Sequence, residues 1–216
     1  MLPEIRRTGS ENSPDPGLLL GQGLAMFTDQ LRTLAPDLST EVVREIAALA
    51  RPRVVARNDY VQRAGKRAGE LVFCQAGLLA VLHPADGKDL VKQFVVEGEF
   101  VPTLIGLLEQ RPVPEAVRAL EDCTLLVWPA KAVRALAATH PGWQQLVQGI
   151  IHHHYWFKER RENQLLAHAP QRYYRFLRDA CPFVSAGRIP LRYLASYIGV
   201  APETLSRIRA RKFLPT

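Results

Sequence analysis

The chain has 216 residues, 47% of them hydrophobic and 23% charged, enough to bury a core in one large domain or two small ones. Its formal net charge of +7 is segregated: residues 151–216 hold 12 Lys and Arg against 4 Asp and Glu, leaving 16 basic against 17 acidic groups in residues 1–150. Three widely separated cysteines, Cys74, Cys123 and Cys181, offer neither a disulfide framework nor a zinc spacing, and no apolar run approaches the ~20 residues that span a bilayer, so a soluble cytoplasmic protein with no membrane partner is expected.

Residues 1–22 are polar and punctuated by Pro and Gly, the composition of a disordered tail. Phe27, Leu31 and Leu34 then predict a short helix. A second helix is expected from Ser39 or Thr40, with Glu41 in its first turn and Val43, Ile46, Ala47 and Leu49 along its inner side. From Arg53 the rhythm changes to short β-branched or aromatic runs, VVARNDYV, ELVFCQAGLLAVLHP and DLVKQFVVEGEFV, separated by turns such as Ala76-Gly77 and Glu97-Gly98. Strands this short and closely spaced indicate an antiparallel barrel or sandwich, and Asp86-Gly87 is the strongest hairpin signal in it. LIGLLEQ reads as a helix; AVRALED and CTLLVWPA return to strand. The class is α+β.

KAVRALAATH turns the chain helical, and Pro141 suits a first helical turn. From Gly142 to about Ala167 there is no proline and one further glycine, Gly149. Leu146, Ile150, His153 and Phe157 recur at spacings of 4, 3 and 4, the pattern of a coiled-coil seam, which predicts a dimerisation helix over residues 141–168. Pro170 breaks the run, and QRYYRFLRDACPF forms another helix before the last motif.

That motif is IPLRYLASYIGVAPETLSRIRARK, Ile189 to Lys212. Leu191, Leu194 and Ile198 share an inner helix face, Gly199 stops the helix where a left-handed residue is needed, and Pro202 pre-sets a second helix. In the second helix Leu205 and Ile208 point inward, while Glu203, Ser206, Arg207 and Ala210 share an outward face. A helix, a glycine turn and a short second helix make a helix-turn-helix, whose second helix lies in the major groove of DNA. Arg207 can donate to guanine O6 and N7, and Glu203 can accept from cytosine N4. Tyr193, Ser196, Thr204, Arg209, Arg211 and Lys212 complete the predicted DNA-binding set, nearer the phosphates. The alternative is an αα-hairpin with a solvated face, an interaction module that binds no DNA.

LASYIGVAPETLSRIR, with RYYRFL upstream, resembles the DNA-binding helices of the Crp/Fnr family of bacterial regulators, and the likeness extends over nearly the whole chain from Phe27. The resemblance implies a cyclic-nucleotide-binding-like β-roll over residues 23–140, the dimer helix and a helix-turn-helix domain over 169–216. It also implies a homodimer on a pseudo-palindromic promoter site in double-stranded DNA, with RNA polymerase as a further partner. On it, Glu203, Ser206 and Arg207 are the base-reading positions. Two departures stand out: Ala201 occupies a position where the family has a Thr or Ser N-cap, at a cost of about 1 kcal/mol, and only FLPT follows Lys212, too little for the family's wing.

Members of the family that bind cyclic AMP hold it with a Gly-Glu pair for the ribose and an Arg-Ser or Arg-Thr pair for the phosphate. Here those positions fall on Pro102-Thr103 and near Val113-Pro114. Arg111 is close, but no hydroxyl accompanies it. Without a fixed cation a cyclic nucleotide would leave a buried charge poorly paired. The candidate effector pocket residues are Glu99, Thr103, Arg111 and Arg118, the effector is unassigned and no cofactor is expected. A cyclic-nucleotide- or haem-responsive member of the family is the alternative. The run His152-His153-His154 does not suggest a metal site, since consecutive helical side chains point about 100° apart. An enzyme is not expected either: a cupin-type metal centre needs a His-x-His in the barrel, which holds only His83.

Overall fold

The computed structural model describes residues 16–85, 87–139, 141–167 and 169–210. Helix α1 (Pro16–Leu34) begins within the stretch expected to be a tail, so residues 16–22 are helical; residues 1–15 lie outside the described residues. Helix α2 (Thr40–Ala48) starts as its sequence dictates, with Ser39 Oγ accepting from Val42 N at 3.4 Å and Glu41 in the first turn, and it buries Val43 and Ile46. Leu49 is the C-cap and is exposed rather than inward.

Among the described residues nine strands follow: β1 (Arg51–Val55), β2 (Tyr60–Gln62), β3 (Lys66–Arg67), β4 (Glu70–Ala76), β5 (Leu79–Ala85), β6 (Lys88–Val95), β7 (Pro112–Val113), β8 (Ala116–Ala119) and β9 (Cys123–Pro129), with helix α3 (Leu104–Leu108) between β6 and β7. They pair antiparallel into two main sheets, β1-β9-β4 and β2-β8-β5-β6, and a small β3-β7 ladder. Hairpin β5–β6 closes at Ala85 opposite Lys88 with Gly87 at φ 73°; Asp86, the other half of the expected turn, lies outside the described residues.

The two sheets face each other across a core of Val72, Cys74, Leu79, Val81, Leu125 and Val127. Because side chains alternate along a strand, the intervening residues point outward, and both outer faces are covered by helices. Leu71, Phe73, Leu126 and Trp128 meet Phe27 and Leu31 of α1, and Trp128 Nε1 donates to the Ile46 carbonyl at 2.7 Å, fixing α2 to the sheet. Ala80, Leu82, Val91 and Phe94 meet the C-terminal helices. Strands buried on both faces explain runs such as LVFC and TLLVW, which lack polar alternation.

Helix α4 (Ala130–Thr139) leads to α5 (Pro141–Ala167), 27 residues and ~40 Å long. The first half of α5 belongs to the chain's own core: Trp143, Leu146 and Ile150 are at most 1% exposed, packed with α1 and the first sheet. Gly149 allows this crossing, since a Cβ there would stand 2.2 Å from the Leu34 carbonyl oxygen. The expected seam of Leu146, Ile150, His153 and Phe157 is therefore corrected: its first two members are enclosed within the chain and offer nothing to a second copy. The exposed apolar groups of α5 are Tyr155, Trp156 and Leu166. Helices α6 (Pro170–Ala180), α7 (Pro182–Ser185), α8 (Leu191–Ile198) and α9 (Pro202–Ala210) complete the described residues.

Candidate nucleic-acid interface and ligand cavity

Gly199 ends α8 at φ 82°, in the left-handed region that a side chain resists. Val200 N donates to the Ala195 carbonyl at 3.0 Å and Gly199 N to Ser196 at 3.2 Å, a Schellman turn that closes the helix and fixes the departure of the chain toward α9. Helix α9 is held by two side chains alone, Leu205 at 0% and Ile208 at 3% exposure. Glu203, Thr204, Ser206, Arg207 and Arg209 are all exposed along it. Arg211 and Lys212 lie outside the described residues.

Helix α8 has a different environment, because its polar groups face the second sheet. Ser196 Oγ accepts from Val91 N at 3.0 Å. Tyr193 is 7% exposed and its hydroxyl accepts from Arg118 Nη1 and Arg192 Nη2, each at 3.3 Å. Tyr193 and Ser196, expected to lie near DNA phosphates, are thus engaged inside the molecule, since α8 packs on β6 and β8 through the face that carries them. Arg118, an expected pocket residue, is likewise part of this junction; it also donates to the Asn58 carbonyl and lies over the Tyr60 ring.

Two arginines that sequence reasoning did not single out reinforce the junction. Arg188, just before α8, donates to Glu97 Oε1 at 2.7 Å and Oε2 at 3.0 Å, and to Glu121 Oε2 at 2.6 Å and Oε1 at 3.1 Å, spanning the turns after β6 and β8. Those bonds, to Glu121 first and Glu97 second, hold the guanidinium far above its usual value. Burial works against ionisation of Glu97, but Arg188 and the Gly77 N–H outweigh it and hold the carboxyl below the ordinary glutamate range. Arg161, on α5, donates through Nη2 to the Tyr197 carbonyl at 2.9 Å and the Val91 carbonyl at 3.4 Å, and its guanidinium lies 4.5 Å from the Tyr197 ring centroid. The only sequence signal for Arg161 was an arginine within an otherwise well-patterned helical stretch, and Arg188 stood in the loop before α8 with none.

Between the β-roll, the segment before α3 and the middle of α5 lies a cavity of about 400 Å³. Val81, Ile105, Ile150 and Phe157 supply apolar wall, and Lys92, Glu115, Lys158 and Arg161 supply charge. His154 faces it too, with Nδ1 3.5 Å from Gln93 Nε2; burial, helped by the neighbouring His153, lowers its pKa to about 4, so the ring is neutral near pH 7. The four expected pocket residues are not brought together here. Thr103 (4% exposed) and Arg111 share a shallow groove beside α3, where Arg111 is paired with Glu109. Glu99 sits in the turn after β6, accepting from Val96 N at 3.1 Å, and burial pushes its carboxyl up to about 7. The cations that do line the cavity come from β6 and α5, and spacing alone could not align two elements so distant in sequence.

Cys74 and Cys123 are 0% and 1% exposed, and burial raises both thiols, Cys123 to about 11, so they behave as small core groups. Among the described residues no group of three or more His, Cys, Asp and Glu side chains could hold a metal ion, and no helix is long and apolar enough to cross a membrane.

Residues 52–140 match the cyclic nucleotide-binding domain family. A similar fold is found in the c-di-GMP responsive global regulator CLP of Xanthomonas campestris, at 18% identity over 79% of this chain and 89% of that one, with a TM-score of 0.63. It recurs in FixK2 of Bradyrhizobium japonicum, at 15% identity over 75% and 83% of the two chains with a TM-score of 0.64. The catabolite activator protein of Thermus thermophilus follows, at 19% identity over 82% and 84% with a TM-score of 0.52. The first and third of these are a global regulator and an activator protein by name, and this chain shares their fold. No curated protein matches the sequence.

Proposed function

We propose that the protein is a dimeric, sequence-specific DNA-binding regulator of transcription, in which α8 and α9 form the helix-turn-helix and α9 reads promoter DNA. The observation that carries this reading is the division of labour along α9: Leu205 and Ile208 hold the helix, and every other side chain from Glu203 to Arg209 is left exposed. A carboxylate beside a guanidinium on one face is matched to the donors and acceptors of a C·G or G·C edge in the major groove. The excess of basic groups in residues 151–216 supplies salt-dependent affinity for the phosphates.

The second copy docks on the exposed side of α5, through Tyr155, Trp156 and Leu166. Tyr155 and Leu166 stand eleven residues apart, hence within ~20° of each other around the helix, and Trp156 lies beside them under the Arg160 guanidinium at 5.2 Å. A twofold pair of α9 helices then calls for two inverted half-sites. The cavity is the effector site of the sensor domain; its cations stand on β6 and α5, and the loop around α3 lends it none.

Genome-wide selection of DNA fragments retained by the purified protein tests this reading. Enriched fragments should share an inverted repeat with half-sites about one helical turn apart. Retention of fragments without a common sequence would refute sequence-specific reading.

A further inference from the structure

Resting on the reading of the cavity as an effector site, we infer that it takes a small organic anion with an apolar body, and that Arg161 is the shared group through which that anion reaches the DNA-reading helices. The wall carries three cations, Lys92, Lys158 and Arg161, against one carboxylate, Glu115, which Lys92 already engages. The remaining surface is mostly aliphatic and aromatic, and about 400 Å³ suits a molecule of ten to twenty heavy atoms. An uncharged apolar ligand would leave the Arg161 guanidinium without a counter-charge; a strongly polar one would lose its own hydration against the aliphatic wall without hydrogen bonds in return.

Two buried nitrogens of residues that line the cavity have no hydrogen-bond partner, Arg161 Nε and His154 Nε2. The Gln93 amide donates to His154 Nδ1, which assigns the ring proton to Nε2. Buried donors left unsatisfied are costly and rare, and an acceptor-rich group such as a carboxylate answers both. Arg161 has a second commitment. Its Nη2 holds the Tyr197 carbonyl in the last turn of α8 and the Val91 carbonyl of β6, whose N–H in turn holds Ser196. An anion that draws the guanidinium into the cavity therefore withdraws a cation from the C-terminal end of α8, where it complements both the helix dipole and an orphan carbonyl. Helix α9 follows α8 across one glycine turn, so occupancy of the cavity and the seating of the reading face are linked through a single side chain.

The test uses the full chain titrated calorimetrically with octanoate, with 1-octanol as the uncharged arm and cyclic AMP as the family's ligand, alongside amide hydrogen exchange over residues 191–198. Octanoate should bind one to one and at least about tenfold more tightly than octanol, and exchange across α8 should rise on binding. Arg161→Gln should weaken octanoate about tenfold, leave octanol unchanged and show raised α8 exchange without ligand. Arg161→Lys should keep the preference for the acid, and the exposed Lys158→Gln should weaken octanoate a few-fold even if Arg161→Gln folds poorly. Equal binding of acid and alcohol, no binding of the acid, or tighter binding of cyclic AMP would overturn the ligand class. Binding that leaves α8 exchange unchanged would overturn the coupling. DNA retention without octanoate binding sinks this inference alone, whereas octanoate binding without DNA retention sinks the regulator reading and leaves the ligand class standing.

Discussion

Helices α8 and α9 are eight and nine residues long and meet at one glycine, yet they occupy opposite environments. Helix α8 buries Tyr193, Leu194, Ala195, Tyr197 and Ile198, and its serine and tyrosine hydroxyls are taken up by β6 and Arg118. Helix α9 buries two side chains and leaves a carboxylate, two hydroxyls and two guanidinium groups exposed. The contrast separates anchoring from recognition: polar groups that the fold satisfies hold the hairpin in place, and polar groups it leaves unsatisfied are available to a partner.

The sharpest way to break the contrast is to remove the anchor of α9. Leu205→Ala deletes a fully buried side chain and should cost about 3 kcal/mol, with DNA affinity lost on every sequence; thermal melting and gel retardation read both effects, and a loss confined to one sequence would mean that Leu205 does more than hold the helix. Next in size is Arg188→Ala, which leaves Glu97 and Glu121 facing each other without their cation. At the partial exposure of this cluster the cost should be about 1–2 kcal/mol, visible as faster amide exchange in α8. The same clamp should weaken in acid. With its folded-state pKa held below the unfolded value of ~4.3, Glu97 contributes stability that is complete above that value and lost as pH falls through the lower, folded one. Denaturant titrations of wild type and Arg188→Ala should converge there, and a constant gap down to the lowest accessible pH would show that the clamp does not titrate. Smaller still is Gly199→Ala, which forces a Cβ into the left-handed region at φ 82° and should cost about 1 kcal/mol.

Much of the fold was legible because its periodicities are local. The short β-branched strands, the glycine turn at 87 between β5 and β6 and the glycine stop at 199 each rest on a few neighbouring residues. The helix pair was legible for the same reason: Leu205 and Ile208 are the inward members of a run that is otherwise polar. The sequence misled where one pattern served two surfaces. Leu146 and Ile150 repeat like a coiled-coil seam, but α1 covers them, an arrangement set by the close approach at Gly149. Tyr193 and Ser196 look like phosphate contacts, and the sheet claims them instead. Arg161 and Arg188 were invisible because their partners lie 36 to 91 residues away, and the cavity has the same origin, its cations arriving from β6 and α5.

The most direct test of the reading face compares wild type with Arg207→Ala. Arg207 is exposed, so the substitution should change stability by less than about 0.5 kcal/mol. Fluorescence anisotropy over a range of salt concentrations, on a selected site and on a scrambled duplex, should show the preference for the site falling by 1–3 kcal/mol while scrambled DNA is bound almost as before. Equal loss on both duplexes, or an unchanged preference, would contradict a base-reading role for α9.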